Sequence, residues 1–299
     1  MVYRTFDELI KVCQTKQKKR TMAVVCADSE HTLEAVVAAR KAQIANSILI
    51  GSEEGIKQKL QAMNCEEEFP IIDVADPEGA VMQAVELVQQ GKADAIFKGM
   101  VETATLMRAI VRKENGLLPA GNVMSHITML EIPNYHKLVV LTDGALMTYP
   151  SLEQKRRIIE NAVGYLRDAG FEKPKVAVLA AVEKLNPKMP ETVDADELKK
   201  MYLAGDLKDC IIEGPISYDL AMKPGAAEEK SYESPVAGDT DVLVVPNITV
   251  GNVLLKSLTC SAKAKGAGLV LGAKVPVILT SRSTGTDGKL RSVALACAL

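Results

Sequence analysis

The chain has no tryptophan and only four phenylalanines in 299 residues. Single-stranded nucleic acids are gripped by stacking bases on aromatic faces, and no such surface is signalled here. Charge points the same way, because Lys+Arg 36 against Asp+Glu 38 leaves a formal net charge of −2. No basic excess suits a phosphate backbone, and no block of like charges suits an interaction tail. The longest apolar runs are too short, and too often interrupted, to span a bilayer. The opening stretch MVYRTFDELIKVCQTKQKKR lacks the apolar centre of a secretory signal. Nucleic acid and membrane are therefore not expected partners, and a cytoplasmic location is expected.

Several chemistries lack their motifs. The six cysteines, at 13, 26, 65, 210, 260 and 297, include no C-x-x-C pair. That removes the usual zinc ribbon and thioredoxin-type site, and free buried thiols in a reducing compartment are expected. Three scattered histidines without H-E-x-x-H give no catalytic zinc site, so no metal is expected. A G-x-S-x-G elbow is missing, as are a G-x-G-x-x-G after the first strand and a Walker loop. Serine hydrolases, the usual dinucleotide dehydrogenases and P-loop enzymes are disfavoured accordingly.

What is present is an ordinary globular composition, 47% hydrophobic and 25% charged. At about 150 residues per domain the length suggests two domains. Strand-like and helix-like stretches alternate throughout. TMAVVCA (21–27), SILIG (47–51), IIDV (71–74) and ADAIF (93–97) read as short buried strands. A helical stretch follows the first, with Asp28 and Ser29 as caps, and another follows the third, with Pro77 at its start. Residues 123–132 and 137–142 read as an antiparallel pair or as strands crossing between domains. The pattern then restarts, with a helix over 152–170 and strands near 175–181, 210–213 and 241–245. A polar loop is expected at 223–240. The expected fold is α/β, with largely parallel sheets covered by helices. The expected division is 1–140 and 141–288. The apolar closing helix, 289–299, should pack back onto the first domain or enter a subunit interface.

In open parallel sheets, ligands bind beyond the carboxyl ends of the strands. Polar clusters stand at those ends: Asp28-Ser29, Lys98-Gly99, Thr142-Asp143-Gly144, Glu213-Gly214-Pro215, Pro246-Asn247 and Thr280-Ser281-Arg282. Lys98-Gly99 precedes a helix carrying Thr103 and Thr105. Glycine admits a ligand to the backbone, and the ammonium and the helix N-terminus both favour an anion. A surface lysine at a helix start is the alternative. Arg282, amid small polar residues, can fork onto phosphate or polarise a carbonyl, or it can lie in a solvated loop closed by Asp287. Ser125-His126 sits in the apolar run VMSHITML, where a histidine is a proton shuttle or a satisfied core residue. Gly251-Asn252 opens a helix and is a weak anion signal by itself. Residue chemistry alone thus reaches a two-domain α/β protein that binds anions.

Longer motifs go further. KGMVETATLMRAI at 98–110, VMSHITMLEIP at 123–133, VVLTDGALMTYP at 139–150, EGPISYDLA at 213–221 and GAKVPVILTSRSTGTDGKLRSVALA at 272–296 stand in order along nearly the whole chain. With them the sequence resembles the phosphate acetyl/butyryltransferase family, most of all its phosphate butyryltransferase branch. The resemblance implies an isocitrate/isopropylmalate dehydrogenase-like fold of two α/β domains with a central cleft. It implies reversible transfer of a short acyl group, butyryl first, between coenzyme A and inorganic phosphate in a ternary complex. Coenzyme A and phosphate are then substrates, no cofactor stays bound, and the family resemblance favours a homodimer or higher.

By resemblance, Ser281 and Arg282 match the Ser-Arg pair that stabilises the acyl carbonyl and phosphate. Lys98, Gly99, Thr103, Thr105, Ser125, Asp143, Gly251 and Asn252 fall at positions expected to contact phosphate or coenzyme A. The family also uses an acid after the Ser-Arg pair to take the thiol proton. Butyryl-type members commonly read Ser-Arg-Ala-Asp-Ser there, whereas this chain has Thr284 in place of that Asp. Asp287, His126 and Asp143 are all candidates for the base. Alternative readings are a phosphate acetyltransferase, an acyl-CoA-binding regulator of low activity, and, least of all, a dehydrogenase of the same fold.

Overall fold

Short runs of Val, Ile and Ala become buried strands, and the stretches with one polar face become helices. The computed structural model describes residues 2–279 and 285–299. By its contacts the chain forms two units. The first holds Phe6–Asn122 and Ala267–Leu299; the second holds Val123–Gly266 with the residues up to Thr5. The expected division at 140/141 falls inside the strand Val139–Thr142. The units meet along the chain at 122/123 and 266/267 instead, because the antiparallel pair that precedes residue 142 stays together in one unit.

The first unit begins with α1 (Phe6–Thr15), β1 (Arg20–Val25), α2 (Glu30–Lys41), β2 (Ala45–Gly51), α3 (Glu53–Ala62), β3 (Ile71–Asp73), α4 (Pro77–Gln89), β4 (Ala95–Lys98) and α5 (Thr103–Val111). The second follows with β5 (Ser125–Glu131), β6 (Val139–Thr142), α6 (Leu152–Asp168), β7 (Lys175–Leu179), α7 (Pro190–Ala204), β8 (Ile211–Ile216), α8 (Tyr218–Met222), α9 (Ala226–Glu229), β9 (Val242–Val244) and α10 (Ile248–Lys256). Strand β10 (Lys265–Leu271) leads back to the first unit, which closes with β11 (Val277–Ile278) and α11 (Thr286–Cys297).

Helices α1 and α3 carry no expectation above, and for different reasons. Helix α1 buries Phe6, Leu9 and Cys13, a spacing that is legible but short and followed by a basic run. Helix α3 buries only Ile56, so almost no apolar stripe marks it. Start signals held where a side chain could reach. Asp76 accepts from the Gly79 amide at 2.7 Å with Pro77 in the first turn of α4, and Ser151 and Gln154 cap α6 reciprocally. Ser29 precedes α2 but makes no side-chain cap bond. The expected loop at 223–240 contains the single turn α9.

In the first unit the strands run β3-β2-β1-β4-β11-β10. Every pairing is parallel except β10 with β11. Strands β2 and β3 lie to one side of β1 and β4 to the other, so the winding reverses between β1 and β4. In the second unit the order is β5-β6-β9-β7-β8, parallel apart from β5 with β6. Helix α11 packs on α1, α2 and β11 within the first unit, and the Cys13 thiol donates to the Ala294 carbonyl at 3.3 Å.

All six cysteines are free. Burial pushes the thiols of Cys13, Cys26 and Cys210 up to about 11 and that of Cys297 to about 12. Cys65 is half-buried and Cys260 exposed, so the expectation of buried thiols does not extend to every one.

One ion cluster closes the amino-terminal edge of the second unit's strands. Lys137, in the β5–β6 turn, is 4% exposed and lies 2.7 Å from Asp239 Oδ1 and 2.7 Å from Asp241 Oδ1. Asp241 Oδ2 accepts the Lys175 amide at the start of β7 at 2.8 Å. One ammonium therefore ties the turn, the segment before β9 and the start of β7. Removing one partner of a buried pair strands the other. Lys137→Met should cost about 3–5 kcal/mol of unfolding free energy in a urea titration, and a loss below about 1 kcal/mol would mean that the cluster behaves as a surface pair.

Candidate functional site

The reversal between β1 and β4 is where a doubly wound sheet opens a crevice at its strand ends. Lys98 is the last residue of β4 and is half-buried. Its ammonium donates to the Val101 carbonyl at 2.8 Å and to that of Gly99 at 3.2 Å, so it is held on its own loop. Gly99 is glycine for a reason the sequence did not reveal. A Cβ there would stand 2.2 Å from the Cys26 carbonyl oxygen and 2.6 Å from that of Val25. The loop backbone lies directly on the end of β1, with the Gly99 amide bonded to the Val25 carbonyl at 2.8 Å. Helix α5 follows, and Glu102 before it gives no side-chain cap. Thr103 is exposed and Thr105 half-buried in its first turn. No Glu102 side chain caps the amides of that helix start, and uncapped helix-start amides favour anions.

The second unit brings four of the expected residues together. Strand β5 is antiparallel to β6, so its first residues lie beside the carboxyl end of β6. Ser125 is fully buried and its hydroxyl accepts from Asn161 Nδ2 of α6 at 2.9 Å. Asp143, just past β6, is 2% exposed. Its Oδ2 accepts the His126 amide at 2.8 Å, and its Oδ1 accepts the amides of Ala145 at 2.9 Å and Leu146 at 2.8 Å. The Thr142 hydroxyl donates to the His126 carbonyl at 2.9 Å. The backbone of His126 is thus fixed on both sides by adjacent residues of the facing strand end.

The His126 ring differs from these. Its Nδ1 is buried and has no hydrogen-bond partner among the described residues. Burial lowers its pKa below the ordinary histidine value, and the nearby Asp143 charge offsets part of that. The imidazole is therefore neutral at neutral pH.

Gly251 joins this cluster from α10. A Cβ on it would lie 2.6 Å from the Gly144 Cα and 3.1 Å from the Asp143 carbonyl oxygen. The helix start, capped by Asn247 accepting the Val250 amide at 3.1 Å, lies flat against the Asp143-Gly144 loop. Asn252 is exposed one residue further on. Beside it, Leu179, Ala180, Tyr218, Pro246, Val250 and Val253 line a mainly apolar cavity of about 590 Å³.

Asp287 is exposed in the first turn of α11, in the first unit. Ser281, Arg282 and Thr284 lie outside the described residues. Among the described residues, no group of three or more His, Cys, Asp or Glu side chains is placed to hold a metal ion, and no helix is long and apolar enough to cross a membrane. Two contributors escaped the sequence reading. Asn161 stands on a helical face otherwise made of Ile158, Ala162 and Tyr165, and a polar residue on an apolar face was its available signal. Gly144 was noted only as part of a strand-end cluster, and its backbone contact with Gly251 has no local signature.

Comparison with known proteins places the chain in a class and then in a family. Its strands and helices form an α/β fold similar to that of a branched-chain phosphotransacylase from Enterococcus faecalis. That structure superposes with a TM-score of 0.82 at 34% identity, covering 93% of this chain and 97% of the other. The family model "Phosphate acetyl/butaryl transferase" matches residues 78–297. A phosphate butyryltransferase of Clostridium acetobutylicum is 40% identical over 294 residues, 98% of this chain and 97% of the relative. A phosphate acetyltransferase of Thermotoga maritima is 38% identical over 289 residues, 97% of each. The chain belongs to the phosphate acetyl/butyryl transferase family, a family of enzymes.

The state of His126 is measurable. Its folded pKa is depressed, so below about pH 6.5 the unfolded chain holds a proton that the folded chain does not. Stability from this residue is present above that pH and lost as pH falls. Urea unfolding should show a decline from pH 7 to 5.5 that His126→Gln flattens, by at most about 1.4 kcal/mol per pH unit. Identical slopes in the two proteins would mean that the ring takes up its proton as freely when folded.

Proposed function

We propose that this protein moves a short acyl group, butyryl first, reversibly between coenzyme A and inorganic phosphate by direct attack in a ternary complex. The observation that carries the reading is near-full-length identity of about two residues in five to a phosphate butyryltransferase. A phosphate oxygen attacks the thioester carbonyl, a tetrahedral oxyanion forms, and its collapse releases the thiolate. No nucleophile from the protein is needed. Holding both reactants in near-attack geometry supplies about 7–11 kcal/mol, and one aimed oxyanion donor about 3–4 kcal/mol.

The roles follow that chemistry. Ser281 and Arg282 act on the acyl carbonyl and phosphate. Lys98, Thr103 and Thr105 supply the charge and helix-start donors of the first unit, which suit a polyanion, and Gly99 lets their loop lie on the end of β1. Asn252 and Gly251 belong to the start of α10, and the apolar cavity beside them suits a butyryl chain better than the smaller acetyl group. Proton transfer to or from the thiol falls to Asp287 or His126. Phosphate acetyltransferase remains the second reading, favoured by the Thermotoga maritima relative. An isocitrate/isopropylmalate dehydrogenase-like fold, a homodimer or larger assembly, a cytoplasmic location and no bound cofactor complete the proposal.

Thiol release from butyryl-CoA should depend on inorganic phosphate and exceed that from acetyl-CoA. Release without phosphate dependence would overturn the reading, and a reversed order would select the acetyl enzyme. Arg282→Ala should lower turnover at least about tenfold with the fold intact. Asp287→Asn should lower turnover and shift its pH profile if Asp287 takes the proton, and leave that profile in place if it does not.

A further inference from the structure

Asp143 and His126 both stand in reach of acid-base chemistry by type, yet their atoms are committed differently. Among the described residues, the hydrogen bonds to the Asp143 carboxylate come from three backbone amides, those of His126, Ala145 and Leu146. Both of its oxygens accept backbone amides and the residue is buried, so three of the carboxylate's roughly four acceptor sites are committed to the backbone. His126 has a ring whose Nδ1 is unpaired among the described residues and a backbone gripped at its amide by Asp143 and at its carbonyl by Thr142. The same carboxylate holds the loop on which Gly251 and α10 rest.

We infer that Asp143 is a positioning residue that acts on acyl transfer through His126, fixing the strand end that carries the imidazole rather than exchanging a proton itself. The inference rests on the transacylase reading for its kinetic test. An asparagine at 143 has the same shape but one oxygen. If that oxygen keeps Ala145 and Leu146, the amide nitrogen faces the His126 N–H, donor against donor. The strand end then loses its anchor while the volume is unchanged.

A double-mutant cycle separates this from a purely structural role. Asp143→Asn and His126→Gln should each lower kcat/KM for butyryl-CoA by about tenfold or more. The double variant should fall no more than about twofold below the worse single, because the two act as one unit. Multiplying losses would overturn the inference, as would an Asp143→Asn or a His126→Gln protein within about twofold of the wild type.

Thr142→Val serves if Asp143→Asn does not fold. It removes only the hydroxyl donated to the His126 carbonyl, and it should slow the wild type but not the His126→Gln protein. Equal losses in both backgrounds would overturn the inference. Butyryl-CoA affinity by calorimetry is read on the same variants. If the wild type shows no phosphate-dependent release, the transacylase reading fails by that result alone. The cycle in affinity then decides the coupling: non-additive changes uphold it, and additive or absent changes overturn it.

Discussion

A single buried carboxylate organises the strand end from which the second unit presents its polar groups. Asp143 takes three backbone amides, one from the neighbouring strand and two from its own loop. A carboxylate is suited to this because it accepts several hydrogen bonds at once and donates none. Buried amides left without acceptors would each cost about 1–3 kcal/mol. The consequence is geometric. The start of β5, the end of β6 and the first turn of α10 become one rigid piece, closed by contact between Gly144 and Gly251 with no side chain between them.

The first unit reaches a comparable result with different parts. There the constraint is the approach of the Lys98-Gly99 loop to the end of β1, where any Cβ would collide with the Cys26 carbonyl. The loop is held at the point where the sheet reverses its winding, and the start of α5 stands beside it without a side-chain cap.

Elements with strong local signals were legible. The strands around 47–51, 71–74 and 175–181, the long helix from Leu152 and the antiparallel pair before Asp143 all appear where short-range pattern put them. Helix α3 was not, because a helix that buries one residue leaves little periodicity. In each unit, the strand end described above carries a polar cluster that the sequence already displays. The reasons for individual residues are not displayed there. Gly99 reads as an opening for a ligand, and its close contact with the end of β1 has no signature in the sequence. Asp143 reads as a candidate base, and its hold on three backbone amides has no signature in the sequence. Asn161, in mid-helix, had no expected role and proved to hold Ser125.

The sequence by itself determined the α/β class, the family and the residues worth asking about. Those follow from periodicity and from long ordered motifs, which are properties of residues close in the chain. The tertiary structure alone decided where the chain divides, which glycines exist for packing, and what each oxygen of Asp143 does. Those depend on contacts such as His126 with Asp143 or Gly144 with Gly251, between residues far apart in sequence. A hydrogen bond or a backbone clash is set by distances of a few ångströms, and only folding brings such partners within that range.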